Sequence, residues 1–183
     1  KNNIVKIRKN KTNKNFLFLS QFTKTDKKFQ NFQIKLLKYI NLYLDRFDKK
    51  IFILLRSNNF YQQKEEMEFY NKIFMSNCFF IKTLNWKESY KILDKFENII
   101  FMYSTLGYEA IARKKKIAVF SPNQIQGFKY NFGWPIYNQT KCNFFSTHNL
   151  SYNEVKRVLN NVSKCTQLNW KNKYYHKIGR AHV

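Results

Sequence analysis

A chain of 183 residues with 44% apolar and 19% aromatic side chains is long enough for one domain with a substantial core. Its 34 Lys and Arg against 11 Asp and Glu give a formal charge of +23. The cations are mostly Lys, scattered among Asn, Ile, Phe and Tyr, which fits A- and T-rich coding better than a nucleic-acid footprint, so nucleic acid is not an expected partner.

Two further classes are excluded early. No apolar run approaches the ~20 residues of a transmembrane helix. Cys78, Cys142 and Cys165 are odd in number and lack a CxxC spacing, so neither a disulfide framework nor a zinc site follows. A reducing cytoplasm suits them.

Residues 1–15 are rich in Lys and Asn and read as a lead-in or linker. Phe16–Ser20 is a short continuous apolar run, the pattern of a strand covered on both faces. Phe29, Phe32, Leu36, Leu37, Ile40, Leu44 and Phe47 then recur at helical spacing, with Asp26 placed to cap. Lys50–Arg56 predicts a second strand, Gln62–Phe74 a helix, Cys78–Ile81 a third strand and Trp86–Phe96 an amphipathic helix. A fourth strand at 99–103, a short helix at Tyr108–Lys114 and a fifth strand at Ile117–Phe120 follow. Pro122–Gln139 loses periodicity and holds Gly127, Gly133 and Pro135; so long a loop within a domain usually has a function or no fixed structure. Cys142–Phe145 predicts a last short strand. Ser151–Val162 predicts a helix opened by a Ser151/Glu154 capping box.

Short apolar strands alternating with helices define an α/β fold: a Rossmann-like parallel sheet with helices on both faces. Such sheets bind ligands beyond the carboxyl ends of their strands. The tail Ile178-Gly-Arg-Ala-His-Val183 is the translation of ATCGGAAGAGCACACGTC, a common sequencing-adapter segment. Residues 178–183 are therefore set aside as a scar, leaving 16–177 as the domain.

The chemistry gathers at Ser104, Thr105, Leu106, Gly107 and Glu109, where a buried strand turns into a helix. Hydroxyls and unpaired first-turn amides at a helix N-terminus suit a phosphate. Glu109, just inside the helix, could accept from a vicinal diol, or could merely complement the dipole, with Ser104 or Thr105 as an ordinary cap. Ser20, Gln21 and Thr23 follow the first strand, and Arg56 ends the second at the same edge, where a guanidinium can clamp a diphosphate. A polar loop and a solvated strand end are the plain alternatives. Trp134 could stack on a ligand or anchor its loop. His148 and His176 are the histidines outside the tail, and neither has a spacing that assigns a catalytic base. Arg113–Lys116 reads as a solvated basic corner. No Asp-x-Asp metal motif is present.

The run Ser104-Thr-Leu-Gly-Tyr-Glu-Ala, with Ala112, Lys115, Lys116 and Val119-Phe-Ser121 after it, resembles the nucleotide-sugar-binding segment of GT-B-type glycosyltransferases and nucleotide-sugar 2-epimerases. With Phe132-Gly-Trp-Pro135 and Asn143-Phe-Phe145, it resembles more closely a group of bacterial surface-carbohydrate (lipopolysaccharide or capsule) transferases, over roughly residues 16–170. The resemblance implies the donor-binding domain of such an enzyme, with Ser104–Gly107 on the phosphates and Glu109 on the ribose. It implies metal-independent transfer from a nucleotide sugar, with no separate cofactor, to a glycan or lipid-linked acceptor, and a further N-terminal domain completing the cleft. The expected place is the cytoplasm, with peripheral contact at an anionic inner membrane. An epimerase or hydrolase on the same fold and a basic nucleic-acid-binding module are the alternatives. Two departures stand out: Lys114 replaces the Gly that commonly ends this helix, and Thr105 replaces the Gly that usually follows the Ser.

Overall fold

The structure, a computed structural model, describes residues 3–5, 13–75, 77–122 and 144–172. Its sheet contains β1 (Asn13–Leu19), β2 (Ile51–Leu54), β3 (Cys78–Ile81), β4 (Phe96–Phe101), β5 (Lys116–Phe120) and β6 (Ser146–Thr147). The order is β3-β2-β1-β4-β5-β6, and every neighbouring pair is parallel. The chain therefore folds outward from β1 to β3, crosses back, and continues from β4 to β6. The direction reverses between β1 and β4, the switch point at which α/β sheets open a crevice.

Burial explains the strands. Phe16, Leu17, Phe18 and Leu19 are at most 2% exposed, so consecutive side chains pointing to opposite faces are all covered. Full burial of each such side chain is worth about 1.5–3 kcal/mol. The helices are α1 (Lys27–Arg46), α2 (Phe60–Phe74), α3 (Trp86–Asp94), α4 (Thr105–Ala112), α5 (Tyr152–Lys164) and α6 (Gln167–Trp170). α1 packs between α2 and α5, while α4 packs on β4 and β5. Right-handed crossovers to either side of the switch point put α3 and α4 on the opposite face from α1 and α2.

Side-chain caps fix where the helices start. Asp26 accepts the Phe29 N–H at 2.9 Å, and Asn59 accepts the Tyr61 and Gln62 amides. Asn85 caps α3 through the Glu88 N–H, and Ser151 caps α5 through the Glu154 N–H.

Several boundaries differ from the sequence reading. Phe96, expected at the end of a helix, opens β4 and is fully buried; its i+3 spacing from Leu93 carried the helical stripe across the real boundary. The short helix begins at Thr105 instead of Tyr108. The last strand is Ser146–Thr147, with Phe144 and Phe145 in the turn before it. α6 had no periodic signature, yet it buries Trp170 edge-on against Phe145, with ring centroids 5.5 Å apart. Within the lead-in, Ile4 bridges Phe80, and the Val5 N–H donates to the Phe80 carbonyl at 3.0 Å, so this short piece lines the outer edge of β3. The segment 123–143, with Trp134 and Cys142, and residues 173–183, with His176, lie outside the described residues.

The Arg113–Lys116 run is a correction. It is an internally paired corner and only partly solvated. Arg113 forms a two-pronged pair with Asp94 at 2.7 and 2.9 Å and lies over the Tyr90 ring. Lys115 donates to the Asp94 carbonyl, and its ammonium is held below its ordinary pKa chiefly by burial. Lys116, 3% exposed, pairs with Glu97 at 3.4 Å and donates to the Cys165 carbonyl at 2.9 Å. These cations stand at the amino-terminal edge of the sheet, opposite the crevice.

Candidate functional site

A cleft of about 490 Å³ opens beyond the carboxyl ends of β1, β2 and β4. That is an ordinary volume for a small-molecule site. Ser20, Gln21, Arg56, Ser104, Thr105 and Leu106, six of the nine residues picked from the sequence at this edge, line it together. Gly107 and Glu109 do not, and Thr23 lines a neighbouring cavity instead.

The α4 end of the cleft has a distinctive arrangement. Ser104 is the N-cap by backbone geometry, yet its side chain makes no capping bond. Its carbonyl takes the Gly107 N–H at 2.9 Å and the Tyr108 N–H at 3.3 Å, leaving the Thr105 and Leu106 amides ahead of the first helical bond. The ordinary capping role is therefore not what the Ser104 hydroxyl does. Arg56 is exposed, and among the described residues its guanidinium has no hydrogen-bond partner. Among the described residues, the cleft lining contains this one cation, five Ser or Thr hydroxyls and no carboxylate. Uncapped amides, hydroxyls and one free guanidinium together form a donor-rich surface, suited to an anion.

Gly107 has a packing role. A Cβ there would lie 2.6 Å from the Phe101 ring, so glycine is what lets α4 rest on β4 and bring its first turn to the crevice. Glu109 is the fifth residue of α4, beyond the first turn, and its side chain is exposed. Dipole complementation, which acts in the first turn, does not apply to it. Lys114, which stands where Gly commonly ends this helix, takes the left-handed conformation, with φ +60°. The Lys114 N–H donates to the Ile111 carbonyl and the Lys115 N–H to that of Ala110, a Schellman closure with Lys in the glycine position.

Gln21 braces the switch point. Its side-chain carbonyl accepts the Met102 N–H at 3.1 Å and the Tyr103 N–H at 2.9 Å, tying the loop after β1 to the exit of β4. Beneath Ser20 lies a buried polar chain that sequence reasoning missed. Ser20 Oγ donates to Glu66 Oε1 and pairs with Tyr70 Oη at 2.8 Å; Gln33 Nε2 donates to Tyr70 Oη at 3.3 Å. The Glu66 carboxylate also accepts the Arg56 N–H, at 3.1 and 3.3 Å. Glu66 is 1% exposed, and burial raises its pKa against the opposing pull of the Ser20, Arg56 and Ser57 donors. The signal was available. Gln63, Glu66, Met67, Tyr70 and Phe74 fall at i, i+3, i+4, i+7 and i+11, which puts a carboxylate on the inner stripe of α2.

His148 is exposed beyond β6 and outside the cleft lining. Among the described residues, no three His, Cys, Asp or Glu side chains gather as a metal site, and no helix is long and apolar enough to cross a membrane.

Fold and cleft together define a Rossmann-like α/β protein with a donor-rich crevice at its switch point. The family model described as "putative O-antigen biosynthesis protein" matches residues 1–181, and the chain belongs to that family. Its description points to the building of surface polysaccharide. No curated protein sequence matches the chain.

Proposed function

We propose that this domain binds the nucleotide-sugar donor of a glycosyltransferase that builds a surface polysaccharide or lipopolysaccharide precursor. The observation that carries the reading is the cleft lining: the Thr105 and Leu106 amides, the uncapped Ser104 hydroxyl and the Arg56 guanidinium around one crevice that, among the described residues, holds no carboxylate. In this reading the donor diphosphate rests at the start of α4. Charge growing on the leaving nucleotide meets the fixed amide dipoles of the first α4 turn, which need no reorganisation as the glycosidic bond breaks, and the Arg56 guanidinium closes on it from the β2 corner. Glu109 takes the ribose diol from the exposed side of α4. The catalytic base and the surface that takes a glycan or lipid-linked acceptor come from a further domain, and the +23 charge favours work at an anionic membrane surface.

The experiment is calorimetric titration with UDP-, GDP- and CMP-sugars, repeated on Arg56→Ala and Glu109→Ala. One nucleotide class should bind, and Arg56→Ala should weaken it about 10- to 100-fold, the range of a charged hydrogen bond. No binding by any of the three, or binding indifferent to Arg56, would refute the assignment.

A further inference from the structure

The buried chain under Ser20 has a consequence for the anion site. Where Tyr70 Oη accepts from Gln33 Nε2, its own hydrogen goes to Ser20 Oγ, and the single Ser20 hydrogen goes to Glu66. A serine hydroxyl has one hydrogen and two lone pairs. While Glu66 is a carboxylate, that hydrogen points away from the cleft. With a proton on Glu66 Oε1, the carboxyl group becomes the donor to Ser20 Oγ. Ser20 Oγ, which also receives a long contact from the Phe22 N–H at 3.4 Å, then accepts from Tyr70 and Glu66 as that weak backbone contact gives way, and its hydrogen is released toward a ligand. No side chain has to move.

We propose that Glu66 is a positioning residue of the cleft: the direction of its hydrogen bond with Ser20 decides whether the Ser20 hydroxyl donates to a bound anion, so that anion binding takes up one proton at Glu66. This rests on the anion reading of the cleft given above. Glu66 also holds the Arg56 backbone, so one carboxyl group supports both the β1 and the β2 corners of the site.

The groups around Glu66 are few. From the β2–α2 loop, Arg56 favours its ionised form; from α2 itself, the Tyr70 hydroxyl is neutral, its pKa pushed up by burial and by Glu66. From the β1–α1 loop comes Ser20, which does not titrate, and Lys24, which is paired with Glu65 at the rim of a second cavity of about 450 Å³ that Glu66 also lines. α1 contributes Gln33 and no charge. Burial opposes ionisation at Glu66 and raises its pKa, so a ligand that takes the Ser20 hydrogen adds to an existing bias toward the protonated carboxyl.

The test uses UDP-glucose and GDP-mannose, whose diesterified diphosphates do not titrate near neutrality, and inorganic sulfate as a bare anion. Affinity is measured by calorimetry from pH 5 to 8 in buffers of different ionisation heats. In the wild type, affinity should fall about tenfold across that range with uptake of up to one proton. Glu66→Gln, whose amide can donate to Ser20 permanently, should bind with less than a twofold change over the same range. Ser20→Ala should bind more weakly and lose the pH dependence. Equal pH profiles in wild type and Glu66→Gln, or no proton uptake, would overturn the proposal. If sulfate binds with the expected linkage while neither nucleotide sugar binds, Glu66 keeps its role and the donor reading fails. If neither class of probe binds, both fail.

Discussion

Replacing Gly107 by Ala tests how the fold delivers α4 to the cleft. The added methyl would lie 2.6 Å from the Phe101 ring, about 0.8 Å inside the 3.4 Å at which ordinary contact begins. Phe101 cannot step aside freely: it is fully buried in β4 and packs edge-on against Tyr108, with centroids 6.1 Å apart. Overpacking costs about 1–3 kcal/mol, and a 2.6 Å approach to a ring held in the core puts this case in the upper part of that range, about 2–3 kcal/mol. Alanine returns about 1 kcal/mol of helix propensity, so the net loss is about 1–2 kcal/mol. For a chain of this length that lowers Tm by about 3–6 °C, read by calorimetry or circular dichroism. The relaxation open to the protein is an outward shift of α4, which also draws the Thr105 and Leu106 amides back from the crevice, so nucleotide-sugar affinity should fall with Tm. An unchanged or higher Tm would refute the close approach of α4 to β4 and the part assigned to Gly107.

Three other outcomes are expected. Lys114→Gly removes a left-handed lysine that costs about 1–2 kcal/mol, partly offset by the greater freedom of an unfolded glycine; denaturant unfolding should show a gain of about 0.5–1 kcal/mol. Glu66 has a pKa raised above its unfolded value, so the stability linked to it is complete below the unfolded pKa and is lost as pH rises through the folded one. Glu66→Gln lacks that loss, and chemical denaturation from about pH 4 to 8 should show the variant gaining on the wild type as pH rises. Asp94→Asn breaks a partly exposed pair with Arg113 and should cost under about 1 kcal/mol, less in high salt.

How much of this was legible in the sequence depends on which physics wrote each part. Buried strands such as Phe16–Leu19, and Cys78–Ile81 in which only Phe79 is half-buried, announce themselves, because covering both faces leaves little room for polar residues. Helix starts marked by Asp26 and Ser151 are equally local. Strand order is not, because the pairing of β1 with β4 is a contact between residues more than eighty positions apart, decided by packing. The site divided in the same way. The start of α4 and Arg56 were visible as residue types at a strand's carboxyl end. The job of Gln21, bracing Met102 and Tyr103, depends on a long-range approach that no spacing encodes. Glu66 was readable as a carboxylate on an apolar helical stripe, but its partner Ser20 lies 46 positions away. Lys116 misled for the opposite reason. A lysine in a basic run looks solvated until the fold brings Glu97 and the Cys165 carbonyl to it.

The most direct test of the central claim is to follow backbone amides by NMR while a nucleotide sugar is titrated in. A diphosphate held at the switch point should shift the Thr105 and Leu106 amides most, with Ser20 and Arg56 next, and should leave Arg113–Lys116 at the far edge of the sheet unmoved. Saturable shifts centred on that basic corner, or no saturable shift at the start of α4, would contradict it.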